Sequence, residues 1–404
     1  MLPMVQISNH SRYAAIFIAA MLMVIFAHDL AALDFTSYSN ALDHYSVDYQ
    51  EARLKFLDAA RASGGRIENH ENPIVGPNNQ PLYVDVAAFG PADPTEILVL
   101  SSGTHGVEGF VGSAIQTGLL REGIPANLGP GTGLIVIHAI NPYGFAYLRR
   151  MNEDNVDLNR NFLNHSLKHP ENPGYDELAD AIAPESISFW SDTKARLHLL
   201  FYRVRRGATA LRHAISSGQY SHPLGLFYGG QYDTWSNKTI RTIAKRHLAG
   251  AKRVVVIDFH SGLGSYAAAE VILNVPKESP AYLRAAKWWG NRVKTTVNGK
   301  SVSIHPQGTL KLAFPRMIQE AVVTAVSLEF GTLPPMDVFW ALRAENWLHH
   351  HGNGEHPDSK RIKQALLGAF YPDNEHWKQL AWQQGREVVL QAMEQLKVGQ
   401  NAQQ

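Results

Sequence analysis

Apolar residues fall into two rhythms along this chain. Continuous runs occupy Ile97-Leu98-Val99-Leu100, the stretch Gly133–Ile140, Val254-Val255-Val256-Ile257 and most of Ala321–Phe330. Short unbroken runs of this kind, rich in Val and Ile, predict strands buried on both faces. Pro81–Phe89 alternates through Leu82, Val84 and Val86 and predicts a half-buried strand; Leu224–Tyr228 predicts a short one. Between them, helical spacing appears in Asp48–Ala62 (Ala52, Leu54, Phe56, Leu57, Ala60), Gly112–Glu122, Thr234–Ala249, Pro280–Thr296, Val338–His350 and Trp377–Leu396. Ser63-Gly64-Gly65 stops the first helix and Pro334-Pro335 ends the last apolar strand. The alternation predicts an α/β fold: a single domain from about Tyr45 to Leu396, with a central, mixed, largely parallel sheet flanked by helices. The interval Asn164–Ser221 is polar and partly helical, and reads as a lid or partner surface.

The first 33 residues break this pattern. Arg12 precedes an unbroken apolar run from Tyr13 to Ala27, closed by His28-Asp29. The run is short for a bilayer span and suits a secretory signal, although the basic flank is weak and Ile25 makes a poor cleavage site. A signal would imply a periplasmic or secreted protein and a retained anchor a membrane contact; without a signal the protein would be cytoplasmic.

Composition narrows the chemistry. With net charge +1 over 404 residues, the chain has no footprint for nucleic acid. It has no cysteine, which removes disulfides, thiolate metal sites and cysteine nucleophiles together. Candidate ligands then come from His, Asp and Glu. Thr104-His105-Gly106-Val107-Glu108-Gly109 follows one apolar run directly, His260 follows Ile257-Asp258-Phe259, and Glu329 sits near the end of the last run. In open α/β sheets such strand ends gather the ligand site. Two histidines and one carboxylate, His105, Glu108 and His260, could hold one zinc ion and leave a position open for water, with Glu329 as base. His349-His350-His351 with His356 reads as a solvated turn, and Arg203, Arg205, Arg206 and Arg212 as a solvated helix face.

A second block follows the metal pair: Asn141-Pro142-Tyr143-Gly144-Phe145, then Arg149-Arg150-Met151-Asn152-Glu153-Asp154-Asn155-Val156-Asp157-Leu158-Asn159-Arg160-Asn161-Phe162. Together with His-x-x-Glu, a distant His and a late Glu, this resembles the zinc metallocarboxypeptidase family, with all elements in the family's order. The resemblance implies an eight-stranded carboxypeptidase-like domain and one zinc on His105, Glu108 and His260. It further implies Glu329 as general base, Arg150 at the oxyanion, Asn159 and Arg160 on a substrate carboxylate, and Asp157 orienting the first zinc histidine.

The pattern also departs from the family. Digestive-type members close a tyrosine over the substrate shortly before the catalytic glutamate, yet no tyrosine lies between Tyr282 and Tyr371. The wording Gly-Thr-His-Gly-Val-Glu-Gly is close to the aspartoacylase and succinylglutamate desuccinylase group, which implies an N-acyl amino-acid amidohydrolase as the alternative. A non-catalytic zinc-fold module that binds peptides is a third reading. The expected partner is therefore a peptide or N-acyl amino acid. Its side-chain pocket is not assignable from Asn298–Gln319, where the resemblance lapses.

Overall fold

The continuous apolar runs lie side by side. In the computed structural model, which describes residues 41–297, 307–352 and 356–401, they become β3 (Glu96–Ser101), β4 (Thr132–His138), β5 (Arg253–Gly262) and β8 (Val322–Gly331). These four are mutually parallel in the order β4-β3-β5-β8. Their residues are almost wholly buried, as parallel strands covered on both faces must be. Antiparallel strands extend the block at each side. β1 (Arg66–Glu71) and β2 (Tyr83–Phe89) flank β4, while β6 (Ala269–Leu273) joins β8 and carries β7 (Val293–Thr295) beyond it. The result is one mixed, mostly parallel sheet of eight strands in the order β1-β2-β4-β3-β5-β8-β6-β7. The chain divides into Met1–Asp43 and His44–Gln404, and the sheet belongs to the second unit. The signal-like segment 1–33 lies outside the described residues.

Helices cover both faces. On one, Trp235–His247 and Leu310–Met317 enclose a core built on Val99, Ile135, Ile137, Val254 and Val256. The interval between the fourth and fifth strands folds into Pro173–Ile182, Phe189–Arg206 and Ala208–Ser216, which share a second core with Pro335–His351 and Ser359–Phe370. Tyr175, Leu178, Tyr202, Phe339 and Phe370 are buried there. No helix among the described residues is long and apolar enough to cross a membrane.

Three local expectations change. Leu224–Tyr228 is a run of turns, with Phe227 at a φ of 57°, and pairs only through an isolated bridge from Tyr228 to Gln219. Pro280–Thr296 is not one helix: it ends at Trp289, where Gly290 takes a φ of 58°, and the chain then turns into edge strand β7. Strand β1 escapes the apolar pattern because an edge strand can carry polar residues such as Asn69 toward water, whereas β6, buried at four of its five positions, is too short a run to stand out.

Candidate metal centre and active site

β3 delivers the first candidate ligand. After Ser101 the chain leaves the sheet, and a short 3₁₀ turn over Gly106–Glu108 points His105 and Glu108 the same way. Gly106 is required there: a Cβ on it would stand 2.0 Å from the Gly144 carbonyl carbon, so the ligand turn and the Asn141-Pro142-Tyr143-Gly144 turn cross backbone to backbone. Val107 N–H donates to the Arg149 carbonyl at 2.8 Å, and Asn141 Nδ2 donates to that of Arg150 at 3.2 Å, which ties the arginine pair to the ligand turn. β5 delivers His260 from the neighbouring strand, opposite Glu329 on β8 in parallel register. Aligned residues of parallel neighbours project from the same face. His260 and Glu329 therefore share one end of the sheet.

His105, Glu108 and His260 are all buried, and one potential ligand atom from each lies within 4.8 Å of the others. His260 Nδ1 is 2.8 Å from Glu108 Oε2, and His105 Nδ1 is 2.9 Å from Glu108 Oε1. His105 Nδ1 is buried without a hydrogen bond despite that short approach, as suits an atom whose lone pair faces a cation. Each imidazole is held from behind by a carboxylate: Asp157 Oδ1 at 3.1 Å from His105 Nε2, and Asp258 Oδ2 at 2.6 Å from His260 Nε2. Such carboxylate contacts favour the tautomer that leaves the other ring nitrogen free for a metal; His105 Nε2 is also approached by Arg150 Nη2 at 2.8 Å. The residues present fit a divalent ion, and His105, Glu108 and His260 would hold it.

Asp258 is a residue the motif reading passed over. It pairs with Ser101 across the β3–β5 register and accepts from Ser101 Oγ at 2.7 Å and Thr104 Oγ1 at 2.9 Å. Its signal in the sequence is the period of two: Asp258 and His260 must share a strand face.

Charges around the centre are strongly coupled. Burial alone would raise the Glu108 carboxyl, but His105 and Arg150 hold it well below the usual carboxylate range. Burial would likewise lower His260, yet Asp258 and Glu108 push it up to about 10. Glu329 moves the other way: burial and the nearby Glu108 charge raise it over the opposing pull of His260, the Leu263 N–H and His105, and its Oε1 accepts from Leu263 N–H at 3.0 Å. Adjacent arginines have different fates. Arg149 is buried in an ion pair with Glu345 at 2.9 Å, which also binds Lys363 at 2.7 Å. Arg150 faces the centre, with Nη1 at 2.5 Å from Glu108 and Nη2 at 3.2 Å from Asp157.

Asn159 and Arg160 follow in the short helix Leu158–Asn161, capped by Asp157. Asn159 Oδ1 is occupied by Leu310 N–H at 2.9 Å, so only its Nδ2 faces the centre, 3.5 Å from His260 Nε2. Arg160 donates to the carbonyls of Asn159 and Ser216 and keeps Nε without a partner. Both residues, with Arg150, Glu329 and the three metal-type side chains, line a cavity of about 580 Å³. Leu211, Ile215, Met336, Phe339 and Phe370 supply its apolar wall, so the Asn164–Ser221 interval contributes one side of the site. No tyrosine lines the cavity among the described residues.

Fold and donor set together define an α/β protein whose parallel strand ends carry a two-histidine, one-carboxylate centre. The chain belongs to the family described as "Protein of unknown function (DUF2817)", matched over residues 45–384. No curated protein matches it. Among solved structures it is similar to the succinylglutamate desuccinylase of Chromobacterium violaceum, at 16% identity and TM-score 0.35 over 82% of this chain and 76% of that one. It is also similar to bovine thrombin-activatable fibrinolysis inhibitor, at 14% identity and TM-score 0.41 over 80% and 96%. A third is the carboxypeptidase A of Helicoverpa armigera, at 13% identity and TM-score 0.43 over 81% and 74%.

Proposed function

We propose that this protein is a zinc-dependent hydrolase that cleaves an amide bond next to a free carboxylate, acting as a metallocarboxypeptidase. The observation that carries the reading is the convergence of both histidine Nδ1 atoms on Glu108, with Glu329 and Arg150 on the same cavity. Zinc on this donor set supplies Lewis acidity and an acidified water near neutral pH. The chain's own groups do the rest. Asp157 and Asp258 hold the two imidazoles in orientation. Glu329, paired to a backbone N–H through one oxygen, keeps the other to take a proton from water and return it to the leaving amine. Arg150 offers a charged donor to the oxygen that becomes negative in the transition state. Arg160 and Asn159 Nδ2, both on the cavity, take the substrate carboxylate in this reading. With no tyrosine on the cavity, proton return falls to Glu329.

The N-acyl amino-acid amidohydrolase reading uses the same groups, and the Gly-Thr-His-Gly-Val-Glu-Gly wording favours it. A non-catalytic binding module is disfavoured by the presence of both Glu329 and Arg150 on the cavity. The deciding experiment supplies zinc-loaded protein with free-carboxylate peptides, the matching C-terminal amides and N-acyl amino acids. Chelator-sensitive release of a C-terminal residue from the acids but not the amides supports the peptidase. Release from N-acyl amino acids alone moves the assignment to the amidohydrolase. Failure across the whole panel rejects the hydrolase.

A further inference from the structure

Three cations on the cavity have no task in the chemistry above: Arg203 and Arg212, which the sequence suggested were simply a solvated helix face and which are exposed at its lining, and the half-buried Lys311. Lys311 stands near the start of the helix Leu310–Met317, which is docked against the Asn159-Arg160 segment from two directions. Asn159 Oδ1 accepts from Leu310 N–H, and Phe162 N–H donates to the Gly308 carbonyl at 3.0 Å. Gly308, at a φ of 73°, comes so close that a Cβ would stand 2.3 Å from the Arg160 carbonyl oxygen. This packing sends Lys311 onto the cavity, where its ammonium donates to Ser327 Oγ at 3.1 Å and makes no ion pair among the described residues.

Ser327 fixes where that charge sits. It precedes Glu329 by two positions on β8, so the two side chains share a face about 7 Å apart along the strand. Ser327 pairs with Asp258 on one side and Ile272 on the other, one pleat below the His260–Glu329 pair. Lys311 therefore marks the floor of the cleft, beneath the reacting centre. Two acids act on that charge: Glu329, one pleat above, whose Oε1 accepts from Leu263 N–H, and Asp258, which is engaged by Ser101, Thr104 and His260. An ammonium has three donors, and here one neutral hydroxyl meets one of them. Burial lowers its pKa to about 8, so it stays protonated at neutral pH.

We propose that Lys311 is a specificity residue that binds a second carboxylate, the acidic side chain of the residue released from the substrate. This rests on the hydrolase reading and narrows it. Arg160 and Asn159 take the α-carboxylate, and Lys311 takes a glutamyl or aspartyl side chain one pleat deeper. Ile272, paired with Ser327 in the sheet, adds an apolar side chain to the same cavity.

The test uses full-length, zinc-loaded protein and two readouts. Calorimetry with free L-glutamate, L-aspartate and L-glutamine reports the product site whether or not any peptide is turned over. Glutamate or aspartate should bind at least tenfold more tightly than glutamine in the wild type. Lys311→Met should abolish that preference and Lys311→Arg should keep it, which a merely structural role would not produce. Equal affinity for the acids and glutamine in the wild type overturns the proposal and leaves the hydrolase reading intact. In turnover, the ratio of kcat/KM for C-terminal Glu over Gln peptides should fall by about 10–100-fold in Lys311→Met. A ratio unchanged by that substitution also overturns it. Absence of all hydrolysis, with the acidic preference in binding retained, would instead reject the hydrolase reading alone.

Discussion

Asp258 Oδ2 lies 2.6 Å from His260 Nε2, and the opposite ring nitrogen, Nδ1, lies 2.8 Å from Glu108 Oε2. The imidazole is thus clamped between two carboxylates, one on each ring nitrogen. Asp258→Asn should weaken zinc binding by about 10–100-fold while leaving the far-ultraviolet circular dichroism unchanged. Competition against a chromogenic chelator measures it; wild-type affinity would show that Asp258 does not orient His260.

On the proposed ligand set, His260→Ala removes one of three ligands rather than its support. Metal analysis after dialysis should give close to one equivalent of zinc in the wild type and little in this variant. Full occupancy in the variant would mean that His260 is not a ligand.

Glu329→Gln should keep the metal and lower kcat by about 10²–10⁴-fold, the usual contribution of a general base. Zinc content and turnover measured on one preparation separate this from loss of the ion. A near-native rate would exclude Glu329 as base.

Arg150→Ala should lower kcat by about 10²–10³-fold with a much smaller change in KM, because an oxyanion contact strengthens only in the transition state. Steady-state kinetics at several substrate concentrations distinguish this from Arg160→Ala, which should act mainly on KM. A large rise in KM with unchanged kcat in Arg150→Ala would assign it to ground-state binding instead.

Acid should destabilise the metal-free protein in a way that depends on Asp157. Burial would raise this carboxyl, but Arg160, Arg150 and His105 hold it well below its ordinary value. A depressed folded pKa means stability that is present above the unfolded pKa and is lost as pH falls toward the folded one. Denaturant unfolding of metal-free wild type should therefore weaken more steeply below about pH 4 than that of Asp157→Asn. Parallel pH profiles for the two proteins would contradict it.

The sequence by itself determined the parallel core and most of the candidate site. Continuous apolar runs can be satisfied only by strands covered on both faces, so β3, β4, β5 and β8 were legible, and with them the strand ends that carry His105, His260 and Glu329. Gly106 and the Asn141-Pro142-Tyr143-Gly144 turn were legible as motifs, though not as two backbones in contact. Tertiary structure decided what local pattern cannot encode. The edge strands β1 and β7 draw their order from a neighbour rather than from their own periodicity. Arg149 and Arg150 look alike in sequence, and only the distant Glu345 on another helix draws one of them into the core. Lys311 carries no motif at all; the docking of Gly308 and Leu310 on the Asn159–Phe162 segment turns an ordinary helix lysine into a charge on the cavity floor. Burial and partner choice are properties of residues far apart along the chain, and they are fixed only when the packed layers bring those residues together.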